Sequence, residues 1–492
     1  MDQFRKQLPL TGPKHFYNKV LVFSVAMLIG GSNSAFAHAQ TDHSSAENQS
    51  ALLSKPGDRP LAIDFTDDPV LALANAFVDP TQFRSFVIAA VHASPVETEA
   101  RALERAAKAR VAVARAGYLP TIDMGLSAFT TLERNFSDDP DNFIERSRPR
   151  ERVDFTFSIA QPLVDFGATG GRVAAAAARL RAAGFDREAR TSEVAGELIW
   201  AWTEVFAYHA LARLTDEYLQ DLDVADRAIE ARIARGIAPA GDRVRVAAMR
   251  AQAQVDLAQL SQLLANARSR FAQISNAPPP ANLLRPPLLS DTALRYEAAI
   301  LAADTAPQVE SAKARAEASR RLARAAEAEK YPRLTARLDH GRYGIYEPGR
   351  DDYDTRATLN LNWRILGGGT WAQARAAQAD ADAAQAVADR IASEARRDAI
   401  LALNDVEATQ AQVRALEAAY RAARQSRDIV AAQFDTARAT LFDLTQAQGA
   451  YVAAGSAYIR ALADLDRARY ILLLRTGGLL DALGLAEEAT AP

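Results

Sequence analysis

The chain has 492 residues, a formal net charge of -3 and a pI near 6.2. That balance argues against a nucleic-acid polyanion as the partner. The complete lack of cysteine excludes disulfides, thiolate catalysis, Cys-ligated zinc and N-terminal lipoprotein acylation.

In chain order, the first element is a secretory signal over residues 1–37. Lys14 and Lys19 flank an apolar run from Val20 to Ile29, and Ala35-Phe36-Ala37 is a small-x-small cleavage site. Cleavage after Ala39 is an alternative, and so is a retained membrane anchor. The apolar run is only about half of the roughly 20 residues a spanning helix needs. Residues 38–82 are polar or broken by turn signals such as Lys55-Pro56-Gly57-Asp58, which predicts a mostly irregular segment.

Residues 83–276 form a first repeat. Ser94-Pro95-Val96-Glu97 predicts a helix start, with Ser94 as cap and Glu97 completing a capping box. That helix stops at Gly117 and Pro120. Ile122, Met124 and Leu126 then alternate with polar residues, and Val153, Phe155, Phe157 and Ile159 alternate with Asp154, Thr156, Ser158 and Ala160. Period two predicts half-buried strands. Gly167 marks a corner. A stretch with little glycine and no proline follows to Arg235, which predicts roughly 100 Å of helix at 1.5 Å per residue. Gly236 to Pro239 turn the chain into a return helix.

A Pro-rich linker, residues 277–293, leads to a second repeat over residues 294–476 and a tail over 477–492. Pro307 and Pro332 are 25 residues apart, as are Pro95 and Pro120. Leu334, Ala336 and Leu338 alternate with Thr335, Arg337 and Asp339, and Leu359, Leu361 and Trp363 follow. Gly367-Gly368-Gly369 is the corner, and a second long helix runs from Thr370 to Thr436. Thr440 is predicted to cap the return helix with Asp443 at its third position. Self-similarity on this scale is a duplication.

The long helices are Ala-rich with thin apolar stripes, such as Val194, Leu198, Trp202 and Val205, and Ala399, Leu403, Val406 and Val413. They need neighbours from the other repeat or from other chains. Four strands cannot close a membrane barrel alone, since single-chain barrels begin at eight. Either several chains pool strands, three giving twelve, or the strands form an ordinary soluble sheet. In a barrel, Asp154, Thr156, Ser158, Thr335, Arg337 and Asp339 would line the pore. Phe155, Phe157, Ile159, Leu359, Leu361 and Trp363 would then meet lipid. Trp363 and Tyr331 fit interfacial aromatic belts or, alternatively, core packing.

The tandem unit of helix, Tyr-Leu-Pro or Lys-Tyr-Pro, hairpin, Gly corner, long helix, turn and return helix resembles the TolC-like outer membrane efflux protein family. Gln161-Pro162-Leu163-Val164-Asp165-Phe166-Gly167 and Leu472-Leu473-Leu474-Arg475-Thr476-Gly477-Gly478-Leu479 add to the resemblance, which covers about residues 85–485. It implies a mainly α fold with a small β part. Duplicated helical hairpins would build a homotrimeric α-barrel capped by a 12-stranded transmembrane β-barrel. It implies an outer-membrane exit duct with its tunnel in the periplasm, serving efflux of small molecules or type I protein secretion. A periplasmic adaptor and an inner-membrane ABC or proton-driven transporter would be its partners. The lack of cysteine favours the non-lipidated branch, which includes type I exit channels.

In that family an Asp past the first tip turn pairs with an Arg and a Tyr near the second, and further Asp residues ring the entrance. Asp242 and Asp443 match the acidic positions. Arg438 lies one place from the expected arginine, a position held by Ala439. Phe434 replaces the tyrosine, and Gln446 replaces a second ring aspartate. Asp242 and Asp443 equally suit plain helix N-terminal acids. No catalytic, cofactor or metal constellation is evident, and Gly367-Gly368-Gly369 lacks the Lys-Ser/Thr of a phosphate loop. A periplasmic coiled-coil adaptor or structural protein is the alternative from another class. A periplasmic enzyme with coiled-coil insertions would need a polar cluster that the chain lacks.

Overall fold

The computed structural model describes residues 51–57, 59–136, 147–236, 239–280, 283–289, 296–346, 349, 351–365, 367–436 and 438–485. The signal segment and the end of the tail lie outside the described residues.

Helix starts follow local chemistry. Asp68 accepts the Val70 and Leu71 amides to begin α1 (Pro69–Ala72), and Asp79 caps α2 (Pro80–Ala93) in the same way. Ser94 caps α3 (Pro95–Ala116). In each case proline takes the first helical position, where no N–H is needed. The capping box expected at Glu97 is absent. Its carboxylate leaves the Ser94 amide and bonds Arg101, Arg187 and Thr191 instead, because charge-assisted partners outcompete a neutral amide.

The two long helices form as expected: α4 (Ala168–Ala234) and α8 (Thr370–Asp435). Each begins at a left-handed glycine, Gly167 at φ 93° and Gly369 at φ 74°, a region that costs residues with a Cβ about 1–2 kcal/mol. The return helices are α5 (Ala240–Ser275) and α9 (Leu441–Arg475). Shorter helices α6 (Tyr296–Asp304) and α7 (Pro307–Ala328) precede the second hairpin, and α10 (Leu479–Leu483) follows α9. Among the described residues no helix is long and apolar enough to cross a membrane.

Strands β1 (Thr121–Thr130), β2 (Glu151–Val164), β3 (Arg333–Tyr343) and β4 (Asp352–Asn362) form one antiparallel sheet in the order β1-β2-β3-β4. The helices beneath it pack as two successive layers. Next to the sheet, α3 packs on α4, α4 on α7 and α7 on α8. Toward the tips, α5 packs on α4, α4 on α9 and α9 on α8. Small residues set the spacing. A Cβ at Gly171 would lie 2.8 Å from that of Ala325, so α4 and α7 touch closely there.

The core sits between these layers. Phe83, Leu198, Ile199, Trp202, Phe271, Tyr470 and Leu479 bury one cluster, and Trp202 Nε1 donates to the Leu284 carbonyl at 2.8 Å. The predicted stripe residues Val194, Leu198, Trp202 and Val205 are all buried here. Arg285 and Asp466, nearly inaccessible, form a two-pronged ion pair at 2.7 Å that fixes the linker to α9.

Within the stretch expected to be irregular, the described residues from 51 onward carry α1 and one 3-10 turn before α2 and are held by long-range contacts. Residues 51–57 and 59–79 run as a strap across the helices. The Leu52 and Leu53 amides donate to Glu217 of α4 at 2.9 and 2.7 Å. Arg427 of α8 donates to the Ser54 carbonyl, and Asp68 accepts from Tyr420 and Arg424 of α8. Residues 480–485 of the tail join the core through Leu480, Leu483 and Leu485.

Candidate functional site

Two regions hold the residues that the sequence singles out: the hairpin tips and the sheet. At the tips, Gly236 at φ 72° closes the first turn, and Asp242 sits at the third position of α5. Its carboxylate is half-buried and lies 3.8 Å from Arg245. The second turn ends in the capping box expected there. Asp443 Oδ2 accepts the Thr440 amide at 2.9 Å and the Thr440 hydroxyl at 2.6 Å. Those bonds hold the Asp443 carboxyl below the usual carboxylate range, so it is ionised at neutral pH. Gln446 follows one turn later on the same exposed face.

Within one chain, Asp242 and Arg438 form no ion pair among the described residues. Arg438 is exposed and its amide donates to the Gln433 carbonyl at 2.8 Å. Phe434 faces a different cation: the Arg232 guanidinium lies 4.2 Å from its ring centre. Arg245 likewise covers Phe442 at 4.9 Å. These two cation–π contacts join the first hairpin to the second. Ion pairs from Arg243 to Asp226 and Glu230, and from Arg250 to Asp223, hold the first hairpin together. Sequence reasoning missed Arg232, Arg245 and Phe442. Their only signal is an arginine and an aromatic near the ends of facing long helices.

In the sheet, register decides which residues share a face, because paired residues point the same way. Ser158 pairs with Asp123 and Asp339, Thr156 with Gly125 and Gly341, and Asp154 with Ser127 and Tyr343. Arg337 pairs with Ala160 and Thr358, and Thr335 with Pro162 and Asn360. All six singled-out polar residues therefore lie on one face. An Arg337–Asp339 ion pair of 2.7 Å lies there. Asp154 is buried, bonded by Arg152 and by the Gly344 amide.

The opposite face is apolar in a stepped band. Ile122, Met124 and Leu126 pair with Ile159, Phe157 and Phe155. On β3 and β4 the same rows hold Leu338, His340 and Arg342, then Ala357, Thr355 and Tyr353. The apolar residues of that half, Leu334, Leu359 and Leu361, lie nearer the helices. Aromatics mark both ends. Tyr331 packs on Phe166 at 5.3 Å, and Trp363 Nε1 donates to the Lys330 carbonyl beside the helices. Tyr346 and Tyr353 are exposed at the far end. Among the described residues no group of side chains could hold a metal ion.

The profile of a family described as outer membrane efflux protein matches residues 95–277 and 300–478. No curated protein matches the chain. Several solved structures share the fold. The outer membrane protein VceC from Vibrio cholerae is 18% identical, with a TM-score of 0.71 over 81% of this chain and 96% of that one. The Campylobacter jejuni CmeC outer membrane channel is 13% identical, with a TM-score of 0.71 over 87% and 93%. The open state of the Neisseria gonorrhoeae MtrE outer membrane channel is 18% identical, with a TM-score of 0.67 over 82% and 91%.

Proposed function

We propose that this chain, which belongs to the outer membrane efflux protein family, assembles as a homotrimer into an outer-membrane exit duct whose helical tunnel stands in the periplasm. The observation that carries this reading is that every layer is left open at its two ends. In the sheet the open edges are β1 and β4, and in the helical layers they are α3, α5 and α8. Head-to-tail contact between copies closes such layers into a ring. In lipid, an unpaired strand edge would cost several kcal/mol per backbone group, so ring closure is obligatory there.

The stepped apolar band supports a tilted barrel. From β1 to β4 it shifts by about four residues, near 14 Å, over three strand spacings of about 4.8 Å, a tilt of about 45°. Tyr353 on β4 and Trp363, the residue after its last, are ten positions apart. At that tilt they stand about 25 Å apart along the membrane normal, the height of a barrel's apolar belt. Two copies would pool eight strands, whose interior is filled by side chains. Three would pool twelve and leave a water-filled lumen lined by the polar face.

The chain carries no phosphate-loop motif, so the duct's energy comes from elsewhere. A periplasmic adaptor and an inner-membrane transporter, ABC or proton-driven, fit that need, with small molecules as cargo and a secreted protein as the second reading. The test is the native mass of the protein extracted from purified outer membranes, corrected for bound detergent. Three chain masses are expected, and a soluble periplasmic monomer would overturn the duct.

A further inference from the structure

Below the β1-β2 hairpin, α3, α4 and α7 wall a half-open groove of about 820 Å³. That volume suits a small organic molecule. Residues seven apart share one face of a helix, and such stripes line the groove. Arg172, Arg179 and Asp186 come from α4, Arg315 and Leu322 from α7, and Leu103 and Arg110 from α3. The α4 and α7 stripes run antiparallel and meet as rungs. At one end Arg172 pairs with Glu329, seven residues past Leu322. At the other, Arg315 Nη2 donates to Asp186 at 2.5 Å. One step of seven inward from either end sets Arg179 opposite Leu322. The middle rung therefore has no acid.

A second arginine stands at the same level. The Glu104–Arg187 ion pair of 3.2 Å and the Gly117–Thr169 contact set the register of α3 on α4, and between them Arg110 comes beside Arg179. Neither arginine makes an ion pair among the described residues. Two guanidinium groups at one level with no carboxylate between them attract an anion. Each presents a planar fork of donors that suits the oxygens of a carboxylate or sulfonate. The remaining wall there is apolar, with Leu322 of α7, Leu103 of α3 and Ala176 of α4. The groove also opens on a bare face. Trp202, which meets Phe83 of α2 at 5.2 Å, lies about 160° round α4 from Asp186, so α2 packs on the opposite side.

We propose that this groove binds a soluble organic oxyanion with an apolar body, its head between Arg110 and Arg179 and its body on Leu103, Ala176 and Leu322. Arg179 lies twelve residues, about 18 Å of helix, past the Gly167 corner. That is too far from the strands for the head of a phospholipid in a bilayer around the sheet. In the duct reading the bare face lines the tunnel, and the occupant is then cargo in transit. The binding itself rests on the geometry of a single chain and is tested without that reading.

The test is equilibrium dialysis of the full-length purified protein in a non-ionic maltoside micelle, with radiolabelled naphthalene-2-sulfonate as probe. The expected result is a saturable component of one probe per chain above micelle partitioning. Arg110→Gln and Arg179→Gln should each weaken it about tenfold or more, the worth of a charge-assisted hydrogen bond. Leu322→Glu keeps both arginines and supplies the acid that the other two rungs have, so it should abolish binding. The 2-naphthyltrimethylammonium cation, with the same ring and the opposite charge, should show partitioning only. Lack of a saturable component, unchanged binding by any of the three variants, or equal binding of the cation would overturn the proposal. Anionic phospholipid added to the micelle should leave the binding in place, and displacement would give the groove to a lipid head and overturn the soluble occupant. Arg110 and Arg179 are exposed and Leu322 is half-buried. Should one variant fail to fold, the other two decide by the same criteria.

Discussion

Asp443 uses one carboxylate oxygen for the cap and leaves the other exposed toward solvent. Capping and ring formation are therefore compatible duties. In a trimer, three such ionised groups around an axis would attract cations and bind divalent ions. Asp443→Asn keeps a capping oxygen and removes the charge. Single-channel recordings should show a reduced preference for cations over anions, and unchanged selectivity would remove Asp443 from the entrance ring. Phe434 illustrates the opposite case. It lacks the hydroxyl of the tyrosine it replaces, and its ring is the seat for Arg232. The acidic tip positions were legible because helix N-termini have a local signature. The cation–π partners were not, because the two hairpins that supply them lie about 200 residues apart in sequence.

At the scale of elements, α3 is tied to α4 by the buried Glu97. It bonds Arg101 at 2.7 Å on its own helix, and Arg187 at 3.0 Å and Thr191 at 2.5 Å across the contact. Removing it leaves Arg187 short of a buried partner. Glu97→Ala should destabilise the purified protein by about 3 kcal/mol, read as a lower thermal unfolding temperature. The sign of the pH effect follows from the same contacts. Burial raises the Glu97 pKa, but the bonds from Thr191, Arg101 and Arg187 outweigh it and set it below 4.5. A depressed carboxyl contributes stability that is present above pH 4.5 and lost as pH falls through the folded-state value. The gap in unfolding temperature between wild type and Glu97→Ala should therefore shrink on acidification. A gap that did not change with pH would mean that Glu97 acts through packing and not through charge. The helix start at Ser94 was readable in the sequence. The use of Glu97 was not, since a capping box and an interhelical ion pair draw on the same residue.

For the whole molecule, the repeat is what makes a ring possible. Each copy supplies two strands, one long helix and one return helix, and the copies sit side by side with one open edge each. Val113 lies on the outer edge of α3. It is two residues, about 200° of helix, from the buried Val111 that faces α4, and it is 73% exposed in the single chain. Leu401 is an exposed apolar counterpart on α8. An arginine at Val113 would be buried without a partner if that edge meets another copy. Val113→Arg should shift the extracted protein from three chain masses toward one, measured by light scattering with detergent correction. An undisturbed trimer would mean that this edge faces solvent.

The sequence by itself determined the duplication, the two long helices, the glycine corners and the two faces of β1, of β2 and of the helix-proximal halves of β3 and β4. Each of these depends on periodicity or on the backbone limits of glycine and proline within a few residues. Only the tertiary structure decided the path of the strap, the second duty of Glu97 and the Arg232–Phe434 contact. Those depend on which side chain from a distant segment arrives beside which, and burial then fixes how strongly each charge must be answered.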